Sequence, residues 1–238
     1  MSPFEAIGAL LVIGVAFTVS ASAGLGGSLV LVPALSLALG TKEGVALAAL
    51  LLAANNVVKV VAYRGTVPWR PSVGVAAATM IGAAAGATLL AAAPERTVTL
   101  AVVASIVGTL VVERAGLMRA RRVGAPGLAL GAGLTSGFSG TSGPLKGVAI
   151  RSLGLDRMHT VGAASVVSWV GDATKTAVYA DAQLLGGGAV ALALAAVPIM
   201  LVATFGGRAL NRRLGERGYT MLFWGVLGGY TCRLLAGL

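Results

Sequence analysis

Asn56-Val-Val-Lys59-Val-Val-Ala-Tyr63 recurs 116 residues later as Asp172-Ala-Thr-Lys175-Thr-Ala-Val-Tyr179. The same offset carries Gly24-Leu-Gly-Gly27 onto Gly140-Thr-Ser-Gly143, Ser20 onto Ser136, Leu39 onto Leu155 and Thr88 onto Thr204, without a gap. The chain therefore reads as two copies of one unit, residues 1–116 and 117–238. In each copy a lysine stands inside an otherwise apolar segment. A charge at membrane depth is expensive and marks ion or substrate pathways. A repeated fold with such a charge in each half is the pattern of a secondary transporter.

Composition agrees with a bilayer as solvent. Of 238 residues 57% are hydrophobic and only 11% charged, and the mean hydropathy is +0.90. A soluble domain carries roughly a quarter charged residues. Segments 44–63, 71–93, 97–113, 158–180, 187–206 and 218–236 are long enough to cross a membrane, which takes about 20 mostly apolar residues. Thirty-five glycines and many alanines suit close helix approach in lipid, where no hydrophobic force draws helices together. The single cysteine, Cys232, and single histidine, His159, rule out a disulfide framework and a multi-ligand Cys/His metal site. No cofactor is expected. The start, Met1-Ser-Pro-Phe-Glu5, lacks the basic region of a cleavable signal, so the first apolar stretch is expected to stay.

The net charge of +10 does not point to nucleic acid, because no aromatic residues interleave with the basic ones to stack bases. Basic residues sit instead at the ends of apolar segments, as cytoplasmic loops require. Alternating crossings put twelve of them on one side: Arg64, Arg70, Arg114, Arg119, Arg121, Arg122, Arg151, Arg157, Arg208, Arg212, Arg213 and Arg217. Lys42, Arg96 and Arg233 fall on the other. The crowded side is then the cytoplasm. With this wiring 44–63 runs inward while its mate 158–180 runs outward, so the halves are inverted. Residues 4–40 and 123–153 must each start and end on one side. Each is therefore a hairpin, broken at Gly24–Gly27 or Gly140–Pro144. The expected fold is an all-α polytopic membrane protein of two inverted-topology repeats, each a broken-helix hairpin plus three transmembrane helices.

Gly140-Thr-Ser-Gly-Pro-Leu-Lys146 lacks the spacing of a phosphate loop, and Gly24-Leu-Gly-Gly27 lacks the rest of a dinucleotide-binding unit. Two readings stay open for these motifs. One is a helix break or tight packing. The other is an anion cradle, in which Gly26, Gly27, Ser28, Thr141, Ser142 and Gly143 offer helix-end N–H groups and a positive dipole. Ser165, Ser168, Asp172, Lys175 and Tyr179 fall at steps of three and four, on one helical face. Asn56, Lys59 and Tyr63, with Asn55 beside them, form a reduced copy. Lys59 and Lys175 are expected to face a common cavity and bind a substrate anion, flanked by Asn56 and Asp172. The bland alternative is that each lysine snorkels or neutralises a carboxylate. Lys175 has Asp172 one turn away, whereas Lys59 has only asparagines nearby in sequence. Asp172 either balances a lysine or carries a proton, because burial and a nearby ammonium push its pKa in opposite directions. Lys146 belongs either at the second break or near the cytoplasmic end. His159 reads as interfacial, and Trp69, Trp169 and Trp224 as belt or packing residues.

The combination of Gly24-Leu-Gly-Gly-Ser-Leu-Val-Leu-Val-Pro33, the Asn56/Lys59 helix, Gly137-Phe-Ser-Gly-Thr-Ser-Gly-Pro144 and the duplicated layout resembles the sulfite exporter TauE/SafE family. The resemblance spans nearly the whole chain. It implies passage of sulfite, thiosulfate or organosulfonates across the bacterial inner membrane by a multi-pass protein. One departure is that Thr141-Ser142 stands where the first half has Leu25-Gly26.

Three function classes follow. The first is a secondary carrier with alternating access, driven by proton, ion or substrate gradients since no ATP-binding motif is read. The second is a channel, or a carrier for another small anion such as sulfate or a carboxylate. The third, an enzyme, lacks any nucleophile–base pair. The partners expected are the anion and the bilayer, with no nucleic acid; oligomeric state is left open. Inversion is testable by labelling. In a background lacking Cys232, cysteines at positions 65 and 181 should react with an impermeant maleimide from opposite sides. Reaction from one side overturns the inversion.

Overall fold

The computed structural model describes residues 13, 14, 17, 27–114 and 124–203. Among them the chain is helical and contains no strand. The helices are α1 (Gly27–Leu39), α2 (Thr41–Tyr63), a 3-10 turn (Arg64–Thr66), α3 (Trp69–Ala92), α4 (Glu95–Arg114), α5 (Ala125–Ser139), α6 (Gly143–Arg151) and α7 (Arg157–Asp181). A further apolar helix, α8, covers Ala189–Ala203.

Thr41–Val61 and Trp69–Ala92 are each long and apolar enough to cross a bilayer. The sequence suggested six such segments. At 20 and 25 residues, α4 and α7 have the length, but the polar face of α7 and the charged ends of both dilute their apolar character. Segment 218–236 lies outside the described residues. The second hairpin breaks where expected, at Gly140-Thr141-Ser142. The first break, Gly24–Gly27, lies almost wholly outside the described residues, and only α1 beyond it is seen.

Local chemistry sets the helix ends. Gly40 turns the chain from α1 into α2 at φ 94°, a region that favours glycine. The Glu95 carboxylate then accepts the N–H groups of Thr41 at 2.5 Å and Lys42 at 3.1 Å, capping α2 from another helix. Lys42 Nζ donates to the Ala91 carbonyl at 2.9 Å, at the last turn of α3. An anion at a helix start and a cation at a helix end both oppose the helix dipole favourably. The Thr41 and Thr99 hydroxyls meet at 2.7 Å, tying α2 to α4 at the same end.

The tightest crossing joins α3 and α5. Gly82 and Gly86 face the backbone of Leu130 and Leu134, while Gly133 and Gly137 face that of Thr79 and Ala83. A Cβ on any of the four would collide with that backbone. Two small-xxx-small ridges thus interlock, the packing mode that lipid favours. The core has two parts. One gathers Val30 and Leu35 of α1, Val45 and Leu51 of α2, Val98 and Ile106 of α4, and Ala196 of α8, with Ile13 and Phe17. The other joins Val75 of α3, Leu128 of α5, Ala149 of α6 and Val167 of α7. Val61, Ile81, Leu194 and Val202 point outward. An apolar exterior over a polar interior belongs in lipid.

The glycine crossing makes a stability prediction. Gly133→Ala puts a methyl against the Thr79 carbonyl and should cost roughly 1–3 kcal/mol by overpacking. Gly108→Ala enters open space on α4 and should leave the melting temperature in detergent unchanged or slightly raised. Equal melting temperatures for the two variants would contradict this packing.

Candidate functional site

Helices α2 and α7 lie side by side and run in opposite directions. Gly162, early in α7, abuts the Thr66 carbonyl just past the end of α2. Ten residues back along α2 and ten forward along α7, Asn56 Nδ2 donates to Asp172 Oδ2 at 2.7 Å. Asn56 and Asp172 are themselves repeat mates, separated by 116 positions. Residues at the constant sequence offset of 116 therefore touch each other.

The other oxygen of the same carboxylate is also engaged. Asp172 Oδ1 lies 2.7 Å from Lys175 Nζ, in an ion pair whose side chains are 8% and 1% exposed. Lys175 Nζ also donates to Ser136 Oγ of α5 at 2.9 Å. One turn further, the Tyr179 hydroxyl donates to the Gly137 carbonyl. Of the polar face expected on α7, Ser165, Asp172, Lys175 and Tyr179 are buried and Ser168 is half-buried. That face sets α7 against the broken hairpin of α5 and α6.

Two further ammonium groups belong to this cluster. Lys59 feels the charge of Asp172, and Lys146 feels Asp172, Lys175 and Lys59 together. Both remain half-buried, whereas Lys175 is sealed. Lys146 lies in α6 just past the break, within electrostatic reach of Asp172. The carboxylate within electrostatic reach of Lys59 is Asp172, far along the chain rather than among its neighbours in sequence.

At the break itself, Gly140 takes φ 76°, and a Cβ there would press to 2.8 Å on a Val32 methyl. Thr141 and Ser142 are buried. Thr141 Oγ1 has no hydrogen-bond partner among the described residues, and Ser142 leaves the N-terminus of α6 without a side-chain cap. Ser139 reaches across to Ser105 of α4 at 2.7 Å and anchors the break from the other side. Gly143 opens α6. Gly27 opens α1 with Ser28 half-buried, and no hydrogen bond ties Ser28 to the lysines among the described contacts. Gly26 lies outside the described residues.

Where a common cavity between Lys59 and Lys175 was expected, the described contacts are those of Asp172 with Lys175 and Asn56. A hollow of about 450 Å³ lies elsewhere, between α3 and α5, lined by Leu89, Ala92, Ala93, Leu134, Thr135 and Phe138. Its apolar walls suit lipid chains rather than an anion. His159 is exposed at the start of α7, where Asp156 accepts its backbone N–H at 3.0 Å and meets its ring at 2.5 Å.

Helices with an apolar exterior and a polar, charged crossing inside define a membrane transport protein. The chain belongs to the sulfite exporter TauE/SafE family, whose sequence profile matches residues 9–234. That family consists of membrane-embedded transporters of sulfite and related sulfur anions. No curated protein and no solved structure matches the chain.

Ser136 was visible in sequence only as the repeat mate of Ser20; nothing local marks it as a partner of Lys175. Burial of the ion pair makes a prediction. Asp172→Ala or Lys175→Met alone strands a buried charge and should cost about 3–5 kcal/mol. The double variant should cost clearly less than the sum, by about 1 kcal/mol or more. Additive losses in denaturation would show that the pair is not coupled.

Proposed function

We propose that this chain is a secondary carrier that moves a small sulfur-containing anion, such as sulfite, thiosulfate or an organosulfonate, across the bacterial inner membrane. Access alternates around a site framed by Lys59, Lys146 and Lys175. The observation that carries this reading is the buried Asp172–Lys175 pair at the α2–α7 crossing, with Lys59 and Lys146 within electrostatic reach of the same carboxylate. With all three lysines protonated, two positive charges would stand in excess of the one carboxylate. In a low-dielectric interior such an excess is unfavourable unless a mobile anion meets it. Sulfur oxyanions carry compact oxygen clusters that accept charge-assisted hydrogen bonds from lysines, hydroxyls and free helix N–H groups. Thr141 and Ser142, at the uncapped start of α6, supply such donors beside Lys146.

Inverted repeats, residues 1–116 and 117–238, explain the geometry. A two-fold axis in the membrane plane would pass where mates meet, and the Asn56–Asp172 contact supports placing it there. A second crossing agrees. Gly14, the mate of Leu130, lies against Ile199. Ile199 stands one residue beyond Pro198, the mate of Gly82, and Gly82 faces the Leu130 backbone. With the axis at the crossing, Lys59 and Lys175 fall on opposite sides of it, each about 4.5 Å along its helix at 1.5 Å per residue. One lysine then serves each face of the membrane. A sealed Lys175 beside a partly exposed Lys59 suits a carrier closed on one side.

In reconstituted vesicles, Lys59→Ala, Lys146→Ala and Lys175→Ala should each lower sulfite transport about tenfold or more, since a charge-assisted hydrogen bond is worth about 1.5–3 kcal/mol. Arg151→Ala, exposed at the end of α6, should retain most of it. Wild-type flux in all three lysine variants would defeat the site, and conductance without saturation or counterflow would replace the carrier by a channel.

A further inference from the structure

We propose that Asp172 is a resident counter-anion that takes the place of the absent substrate, pairing with Lys175 when the carrier faces one side and with Lys59 when it faces the other. The proposal rests on the carrier reading above and adds the step by which an empty carrier returns. Three observations carry it.

Of the three clustered lysines, Lys175 alone is sealed at 1% exposure, and it is the one the carboxylate holds at 2.7 Å. Lys59 and Lys146 keep partial exposure. A buried ammonium deprived of both water and a counter-ion is strongly unfavourable. Asp172 therefore stands where dehydration would otherwise forbid closure.

The second observation is the position of Asp172. It faces Asn56, its own repeat mate, so it lies at the crossing and one turn from the lysine of either half. Its charge is already felt by Lys59. The third is the asymmetry of the pair. One mate is a carboxylate and the other a carboxamide, so the crossing holds one negative charge and one donor to bind it. Two carboxylates would repel each other across 2.7 Å. Two amides would leave the sealed lysine uncompensated.

A substrate anion and Asp172 compete for the same ammonium. Bound substrate frees the carboxylate from Lys175, and departure of the substrate restores the pair. The loaded carrier thus reorients with the substrate as counter-ion, and the empty one with Asp172. Net transport needs the empty return; exchange of substrate for substrate does not.

Asp172→Asn keeps shape and hydrogen-bonding capacity but removes the charge. Purified full-length protein in vesicles, with the potential clamped by potassium and valinomycin, gives both rates for radiolabelled sulfite. In Asp172→Asn net efflux should fall at least about tenfold further than exchange, and sulfite should bind about tenfold tighter with the competing carboxylate gone. The swap Asn56→Asp/Asp172→Asn returns a carboxylate to the crossing from the other helix. It should restore the net-to-exchange ratio to within about threefold of wild type, by the equivalence of the two positions. A purely structural role would lower both rates together, and that outcome overturns the proposal. So does a monodisperse swap variant whose ratio stays low. If Asp172→Asn fails to fold, the swap variant decides the matter alone by the same ratio. Absence of sulfite binding and flux in the wild type sinks the carrier reading itself, which is a separate result.

Discussion

The carboxylate of Asp172 is held from two sides at once, by the amide of Asn56 and by the ammonium of Lys175, each at 2.7 Å. Asn56 lies early in the chain and Lys175 late, so this one side chain joins distant segments in the interior. A lone carboxylate there would be neutralised or expelled, and so would a lone lysine. Together they are tolerated, and they fix the register of α2 against α7. Everything that bears on function is measured from that crossing: Lys59 one turn to one side, Lys175 one turn to the other, and Lys146 delivered by the broken hairpin.

The hairpin depends on a different constraint. For α5 to bring Ser136 under Lys175, it must lie almost backbone to backbone on α3. Gly82, Gly86, Gly133 and Gly137 permit that approach because none has a Cβ to obstruct it. The Tyr179 hydroxyl then ties the Gly137 carbonyl to α7. Close packing at the glycine ridges and charge pairing at the crossing are thus one device seen from two ends. In lipid, where burial supplies no net attraction between helices, such contacts are what hold the bundle.

Much of the fold was legible from residues alone, for physical reasons that can be named. Apolar length gave the helices, because backbone polar groups in lipid must bond within their own segment. The break at Gly140–Ser142 was legible because glycine tolerates the left-handed turn that ends α5. The face of Ser165, Asp172, Lys175 and Tyr179 followed from helical spacing, and burial follows it. The candidate site was legible less completely. Lys59 looked uncompensated because its carboxylate lies 116 − 3 = 113 positions away, beyond any local pattern. Ser136 looked like a repeat landmark rather than a lysine partner. The pairing of Asp172 with Lys175 was legible only as one of two readings, because sequence reveals which charges are present and not which of them meet.

The sequence by itself determined a helical membrane chain with a recurring lysine-bearing motif, since hydropathy, period and the constant offset are properties of the string. Which residues meet was decided only in three dimensions. Contact between Asn56 and Asp172 depends on how two distant helices cross, and the crossing is set by packing of glycine ridges and by the cost of leaving a charge unpaired. Those terms act between segments, so no local window contains them.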